Sequence, residues 1–329
     1  MISRAARGPI AVFIALLIAG NMLTWVWAVR AFSDRPALLG TALLAWVFGL
    51  RHAVDADHIA AIDNVVRKLV HSRRRAWDSG LFFALGHSTT VLGLCLSIIA
   101  FPSVHGIGRL RELADAWGTV FSAVFLLLIG MVNLLTLRRL WSARQGGEFD
   151  QAPSGGAMSR ILRPVQRLVG RTWHMFPVGF LFGLGFDTAS EVALLVMTAQ
   201  QAAAGLSAAD VLVFPALFTA GMVLVDTGDS AVMTGAYGWA LHEPRRQLTY
   251  NIPVTAVSVG VAVGVGGVEL LGLLAVHAQS AVGQGPLLSR MLDAMSFTWS
   301  YLGFVVVAIL LLLWGIAAVV ARLRPSVAD

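Results

Sequence analysis

Eight stretches of this chain stay apolar for about twenty residues or more, the length a helix needs to cross the hydrocarbon core of a bilayer. They run approximately over 10–28, 37–66, 81–101, 117–137, 175–203, 211–241, 252–276 and 297–321. The pattern predicts an all-α polytopic membrane protein with eight transmembrane helices. Composition agrees: 57% of the 329 residues are hydrophobic, only 13% are charged, and the mean hydropathy is +0.76. A soluble domain of this length carries about 25% charged residues.

The basic residues orient these spans, because cytoplasmic loops are enriched in Lys and Arg. With the N-terminus inside, the inner segments hold eighteen of the 24 basic residues, including Arg4, Arg7, Arg67, Lys68, Arg73, Arg74 and Arg75. The outer loops hold Arg30, Arg35, Arg109, Arg111 and Arg290, and Arg51 lies within a span. Both termini are therefore expected in the cytoplasm. The first span reads as retained, because Trp25-Val26-Trp27-Ala28 is a poor signal-cleavage site, and Trp25 and Trp27 are expected at an interface.

Residues 138–174 are basic and contain Gly146-Gly147 and Pro153-Ser154-Gly155-Gly156. They read as a flexible connection. The expected organisation is a first four-span half (1–140), a cytoplasmic linker (141–174) and a second four-span half (175–329). Phe48-Gly49-Leu50 on the second span is echoed by Phe182-Gly183-Leu184 on the fifth, which runs the other way. Inverted repeats of this kind are common in transporters. The basic residues form short runs between apolar segments, so the net charge of +6 does not point to nucleic acid. The single cysteine, Cys95, excludes a disulfide framework or a Cys-rich metal site.

Polar islands interrupt the apolar spans. Arg51-His52-Ala53-Val54-Asp55-Ala56-Asp57-His58 lies in the second span, and His87-Ser88-Thr89-Thr90 in the third. Asp187 and Glu191 lie in the fifth, Asp226 and Asp229 in the sixth. With Asp63, seven acids stand at membrane depth against one base, Arg51. Each ionised side chain at a helix centre costs about 2.5–3.5 kcal/mol. Structural ion pairs cannot account for such a set. The acids must be protonated, face water or bind cations. Imidazole together with carboxylate is ligand chemistry for zinc, copper, nickel, cobalt or iron, and an alkali-ion site would not need three histidines.

If the second span is one regular helix, turning by about 100° per residue, His52, Asp55 and His58 share one face and Asp57 falls away from it. Helical spacing also pairs Arg51 with Asp55 (i, i+4). A span of about thirty residues exceeds the bilayer core, so it is tilted, broken or protruding. Asp63-Asn64 reads as its inner end. His87, taken alone, also fits an interhelical hydrogen-bonding residue.

The same residues resemble the nickel/cobalt transporter family. The run from Arg51 to His58, continued by Ile62-Asp63-Asn64, is similar to that family's His-x4-Asp-His motif. Leu85-Gly86-His87-Ser88-Thr89, Leu184-Gly185-Phe186-Asp187-Thr188-Ala189-Ser190-Glu191 and Ala220-Gly221-Met222-Val223-Leu224-Val225-Asp226-Thr227-Gly228-Asp229 follow in the family's order, and then Ala236-Tyr237-Gly238-Trp239-Ala240. Ser190, Gly228 and Ser230 depart from the usual residues, and none removes a candidate ligand. The resemblance implies eight spans, a long central cytoplasmic loop, and a metal-recognition role for His52, Asp57 and His58. Helix geometry favours Asp55 and the resemblance carries Asp57, so both stand as candidates.

The expected function is a secondary permease of the cytoplasmic (inner) membrane that takes up Ni2+ or Co2+ as substrate and uses no catalytic cofactor. His52, Asp55, Asp57, His58 and His87 are the candidate ligands. Arg51, Asp63, Asp187, Glu191, Asp226 and Asp229 would serve as supporting or pathway residues. The expected partners are the divalent ion and the lipid bilayer. No Gly-x4-Gly-Lys-Ser/Thr loop is present, and no nucleotide-binding subunit is implied. An exporter would use the same site in the opposite sense. A membrane acyltransferase using the His52-x4-Asp57 pair as general base is the distant alternative.

Overall fold

The computed structural model describes residues 4–100, 106–144, 169–185, 189–240, 244–282 and parts of 304–315. All regular structure among them is helical. The helices are α1 (Arg4–Ala31), α2 (Pro36–His52), α3 (Ala56–His71), α4 (Ser79–Ala100), α5 (Gly106–Arg144), α6 (Met175–Phe182), α7 (Ala189–Ala203), α8 (Ala208–Val211), α9 (Val213–Ala240) and α10 (Pro244–Val282), with one 3-10 turn at Thr172–His174.

Among these residues, five helices are long and apolar enough to cross a membrane, and six if the bent pair α2 and α3 counts as one broken span. They match the expected spans at 10–28, 37–66, 81–101, 117–137, 211–241 and 252–276. Most of the eighth expected span, and most of the 141–174 linker, lies outside the described residues. On α1, Leu16, Met22 and Leu23 are each more than 60% exposed. Such a face suits lipid and not water. The chain is a multi-pass membrane protein. Trp25 does not act only as an interface anchor, because it packs edge-on against Trp46 with ring centroids 6.0 Å apart.

Two expected spans are interrupted. The second is broken after His52: Ala53 and Val54 turn, and Asp55 is extended at φ −65°, ψ 147° before α3 begins. An Asp at an N-cap followed by Asp57 in the first turn is a helix-start signal in its own right. The single-helix wheel that aligned His52, Asp55 and His58 therefore does not apply, nor does the i, i+4 pairing of Arg51 with Asp55. The fifth span ends as a helix at Phe182, turns at Gly183-Leu184 and resumes at Ala189. The first interruption comes two residues after Phe48-Gly49-Leu50, and the second falls within Phe182-Gly183-Leu184. Non-helical backbone at membrane depth is tolerated only where protein encloses it or it lines a cavity.

The chain divides into two compact units. One comprises Met1–Val54, Asp78–Phe121 and Met175–Gly228; the other comprises Asp55–Trp77, Ser122–His174 and Asp229–Asp329. In the first unit, glycines let helices touch backbone to backbone. A Cβ on Gly86 would lie 1.9 Å from the Phe176 carbonyl oxygen, and one on Gly179 would lie 2.0 Å from that of Phe83. These reciprocal contacts lock α4 to α6, and the Thr90 hydroxyl adds a 2.9 Å bond to the Phe180 carbonyl. Gly49 does the same for α2 against α9, where a Cβ would meet the Phe218 carbonyl oxygen at 2.0 Å. Small residues at such contacts are how helices associate in lipid, which supplies no hydrophobic drive between them. Asn21 ties α1 into the same packing. Its amide donates to the Ala220 carbonyl at 2.9 Å and accepts from the Trp46 indole at 3.0 Å.

In the second unit the organising helix is α3. Every residue from His58 to Arg67 is buried, including Asp63, Asn64 and Arg67. Asp63-Asn64 is thus not the inner end of a span, because the helix continues to His71.

Candidate metal centre

Three side chains from three helices converge inside the first unit. His52 is the last residue of α2, His87 lies mid-way along α4, and Glu191 lies in the first turn of α7. Each is at most 2% exposed. His52 Nε2 lies 3.0 Å from His87 Nε2, and Glu191 Oε1 lies 2.7 Å from His87 Nε2 and 3.5 Å from His52 Nε2. The glycine contacts described above set this geometry. Gly49 fixes α2 one turn before His52, Gly86 fixes α4 beside His87, and a Cβ on Gly183 would lie 2.7 Å from the His87 carbonyl oxygen.

The separations suit a shared ion. Donor atoms on one metal at bonds of about 2.1 Å lie about 3.0 Å apart at right angles and about 3.4 Å apart at tetrahedral angles. Two imidazoles and one carboxylate on one side leave further positions open for water or another ligand, an arrangement used by divalent transition metals.

The surroundings fix the histidines. The Phe218 ring packs 5.4 Å from the His52 ring, and Phe83 packs 6.3 Å from His87. On the far side of His52, Ser190 Oγ lies 3.5 Å from Nδ1 and accepts from Arg51 Nη1 at 3.3 Å. An Nδ1 proton facing Ser190 leaves the Nε2 lone pair facing His87 and Glu191. Glu191 sits at a helix N-terminus, where the dipole favours negative charge, and His52 sits at a C-terminus, where it favours a cation.

The other expected residues lie as follows. His58 is fully buried on α3, in the second unit. Asp55 and Asp57 are half-buried at the start of α3. Asp63 accepts hydrogen bonds from Tyr237 and Ser258. Asp226 is fully buried and Asp229 half-buried, both on α9. Asp187 lies outside the described residues. Sequence reasoning missed Ser190 as the neighbour of His52, and it missed Tyr237 and Ser258 as partners of Asp63. Tyr237 stood within a recognised motif and could have been marked; Ser258, one of several small polar residues in its span, carried no signal.

The family model described as high-affinity nickel-transport protein matches residues 38–320. The hydrogenase nickel incorporation protein HupN of Bradyrhizobium diazoefficiens is 47% identical, across 97% of this chain and 85% of its own length. The high-affinity nickel transport protein of Cupriavidus necator is 46% identical, across 97% of this chain and 93% of its own. The cobalt transport protein NhlF of Rhodococcus rhodochrous is 38% identical, across 90% and 87%. No solved structure matches the chain. These matches are to transporters and not to enzymes, which removes the acyltransferase expectation. With the family match spanning most of its length, the chain belongs to the high-affinity nickel-transport protein family.

Proposed function

We propose that this chain is a secondary permease that carries Ni2+, Co2+ or both into the cell across the cytoplasmic membrane. The observation that carries the reading is the convergence of His52 Nε2, His87 Nε2 and Glu191 Oε1 within 3.5 Å of one another. Relatives named for nickel and cobalt transport support the choice of ion. The charge distribution supports eight spans with both ends in the cytoplasm, arranged as halves 1–140 and 175–329 joined by the linker 141–174.

On this reading, the carboxylates attract the hydrated cation. His52, His87 and Glu191 then replace part of its water shell, and one carboxylate reduces its net charge from two to one. His58 and Asp57 are further ligand candidates on the strength of the motif, while Asp55, put forward on the single-helix geometry that the break removes, is the weaker candidate. Arg51 acts through Ser190 on His52. Asp187, Asp226 and Asp229 provide charge along the path. The membrane potential favours inward movement of a divalent ion by about 4.6 kcal/mol per 100 mV, so no nucleotide hydrolysis is required.

The test is accumulation of labelled nickel in a cell that lacks its own nickel uptake. Expression of the chain should raise accumulation and nickel sensitivity, and His52→Ala should abolish both. Normal accumulation by the variant would refute the ligand assignment. Expression that lowers accumulation would identify an exporter.

A further inference from the structure

The second unit holds a separate buried polar centre. Asp63, on α3, is 2% exposed. Its Oδ1 accepts from the Tyr237 hydroxyl on α9, and its Oδ2 lies 2.7 Å from Ser258 Oγ on α10. Among the described residues, no Lys, Arg or His lies within ion-pair distance of it. Arg67, one turn further along α3, instead donates at 3.2 Å to Asn64 Oδ1, which also receives the Asn133 amide from α5. Among the described residues, the Asp63 carboxylate is thus met by the Tyr237 and Ser258 hydroxyls, and Arg67, four residues on along the same helix, is turned to Asn64. Asp229 and Glu269 lie about 12 and 16 Å along α9 and α10 from Tyr237 and Ser258.

Ser258 Oγ also lies 3.0 Å from the Val254 carbonyl oxygen. A hydroxyl has one proton, so it makes one well-aligned hydrogen bond at a time and favours one neighbour over the other. Two arrangements share the same heavy-atom positions. With the carboxyl ionised, Ser258 donates to Oδ2 and Tyr237 to Oδ1. With a proton on Oδ2, the carboxyl donates to Ser258 Oγ, and Ser258 turns its own proton to the Val254 carbonyl. Both arrangements leave Asp63, Tyr237 and Ser258 hydrogen-bonded, and they differ by one hydroxyl rotation.

We propose that Asp63 is a proton-binding site whose filling and emptying accompany metal movement. This rests on the reading of the chain as a metal transporter. The proton comes from water onto Oδ2 and returns to water from it; no bond other than O–H forms or breaks. Asp63 is five residues beyond His58 on one continuous helix, a rise of about 8 Å. Changes at the motif and at Asp63 therefore act on the same rigid element.

The test uses the full chain in proteoliposomes, nickel chloride outside, a pH-sensitive dye inside, and labelled nickel counted in parallel. Wild type should show proton movement that depends on nickel. Asp63→Asn should keep its fold, because an amide satisfies the protonated arrangement, and should bind nickel as wild type does. Its nickel-dependent proton signal should fall at least about tenfold, and its uptake should stop responding to an imposed pH gradient. Wild-type proton signal in Asp63→Asn, or nickel entry without proton movement in wild type, would overturn the proposal. If Asp63→Asn does not fold, Tyr237→Phe decides: a shifted pH dependence of uptake at unchanged nickel affinity supports it, and an unchanged pH dependence overturns it. If wild type moves no nickel, the transport reading itself fails, and the coupling proposal with it.

Discussion

Glu191 is the residue whose standing changes most. By sequence it is one of several intramembrane acids, and its spacing ties it to Asp187. The fold brings its carboxylate to 2.7 Å from His87 and 3.5 Å from His52. Glu191→Gln keeps the size and one oxygen but removes the charge, and should weaken nickel binding by about 10–100-fold; calorimetry on the purified protein measures this. Ser190→Ala should cost less, about tenfold, because it loosens the orientation of His52 and removes no ligand. Equal nickel affinity in wild type and Glu191→Gln would show that the carboxylate does not touch the ion. The histidines stood out as ligand candidates because polar side chains of this kind are costly and rare in apolar spans. Their partner did not, because Glu191 is remote from both histidines in sequence and only tertiary packing brings the three together.

At the scale of the element, the sequence conveyed where helices lie more reliably than where they break. The apolar runs located six of the eight expected spans, counting the bent pair α2 and α3 as one, because length and hydropathy decide them. The breaks at Ala53–Asp55 and Gly183–Leu184 are short and lie inside runs that read as continuous. Asp55 is both a good N-cap residue and a plausible ligand, so its residue type did not separate the two roles. Glycine contacts also escaped sequence reading, since most of the 33 glycines could serve any helix contact. In the structure, Gly179 is, with Gly49 and Gly86, one of those where an added side chain would strike a neighbouring backbone, here that of Phe83. Gly179→Leu should lower the stability of the folded protein by about 1–3 kcal/mol or more and reduce nickel uptake through displacement of His87. Thermal unfolding in detergent reports the first effect. By contrast, Gly93→Ala on α4, where nothing lies within 4 Å, should not lower the melting temperature and should raise it slightly, since Ala suits a helix interior better than Gly.

At the scale of the whole molecule, the charge distribution predicts eight spans and two cytoplasmic ends. Cys95 is the single cysteine, and its thiol is buried against Thr198 at 3.7 Å. Cys95→Ser therefore offers a background for site-specific labelling. In that background, a cysteine at Ser154 should react with an impermeant reagent only after cells are opened, and one at Ser103 should react in intact cells. The reverse pattern would invert the topology and with it the expected direction of transport. The central claim is that imidazoles and a carboxylate hold the metal in transit, with no sulfur ligand. X-ray absorption on nickel-loaded protein tests it most directly. The expected spectrum has only nitrogen and oxygen neighbours at about 2.1 Å, with imidazole scattering from two or more histidines that is lost when His52 and His87 are both replaced by Ala. A sulfur neighbour, or a spectrum unchanged in that double variant, would contradict the account.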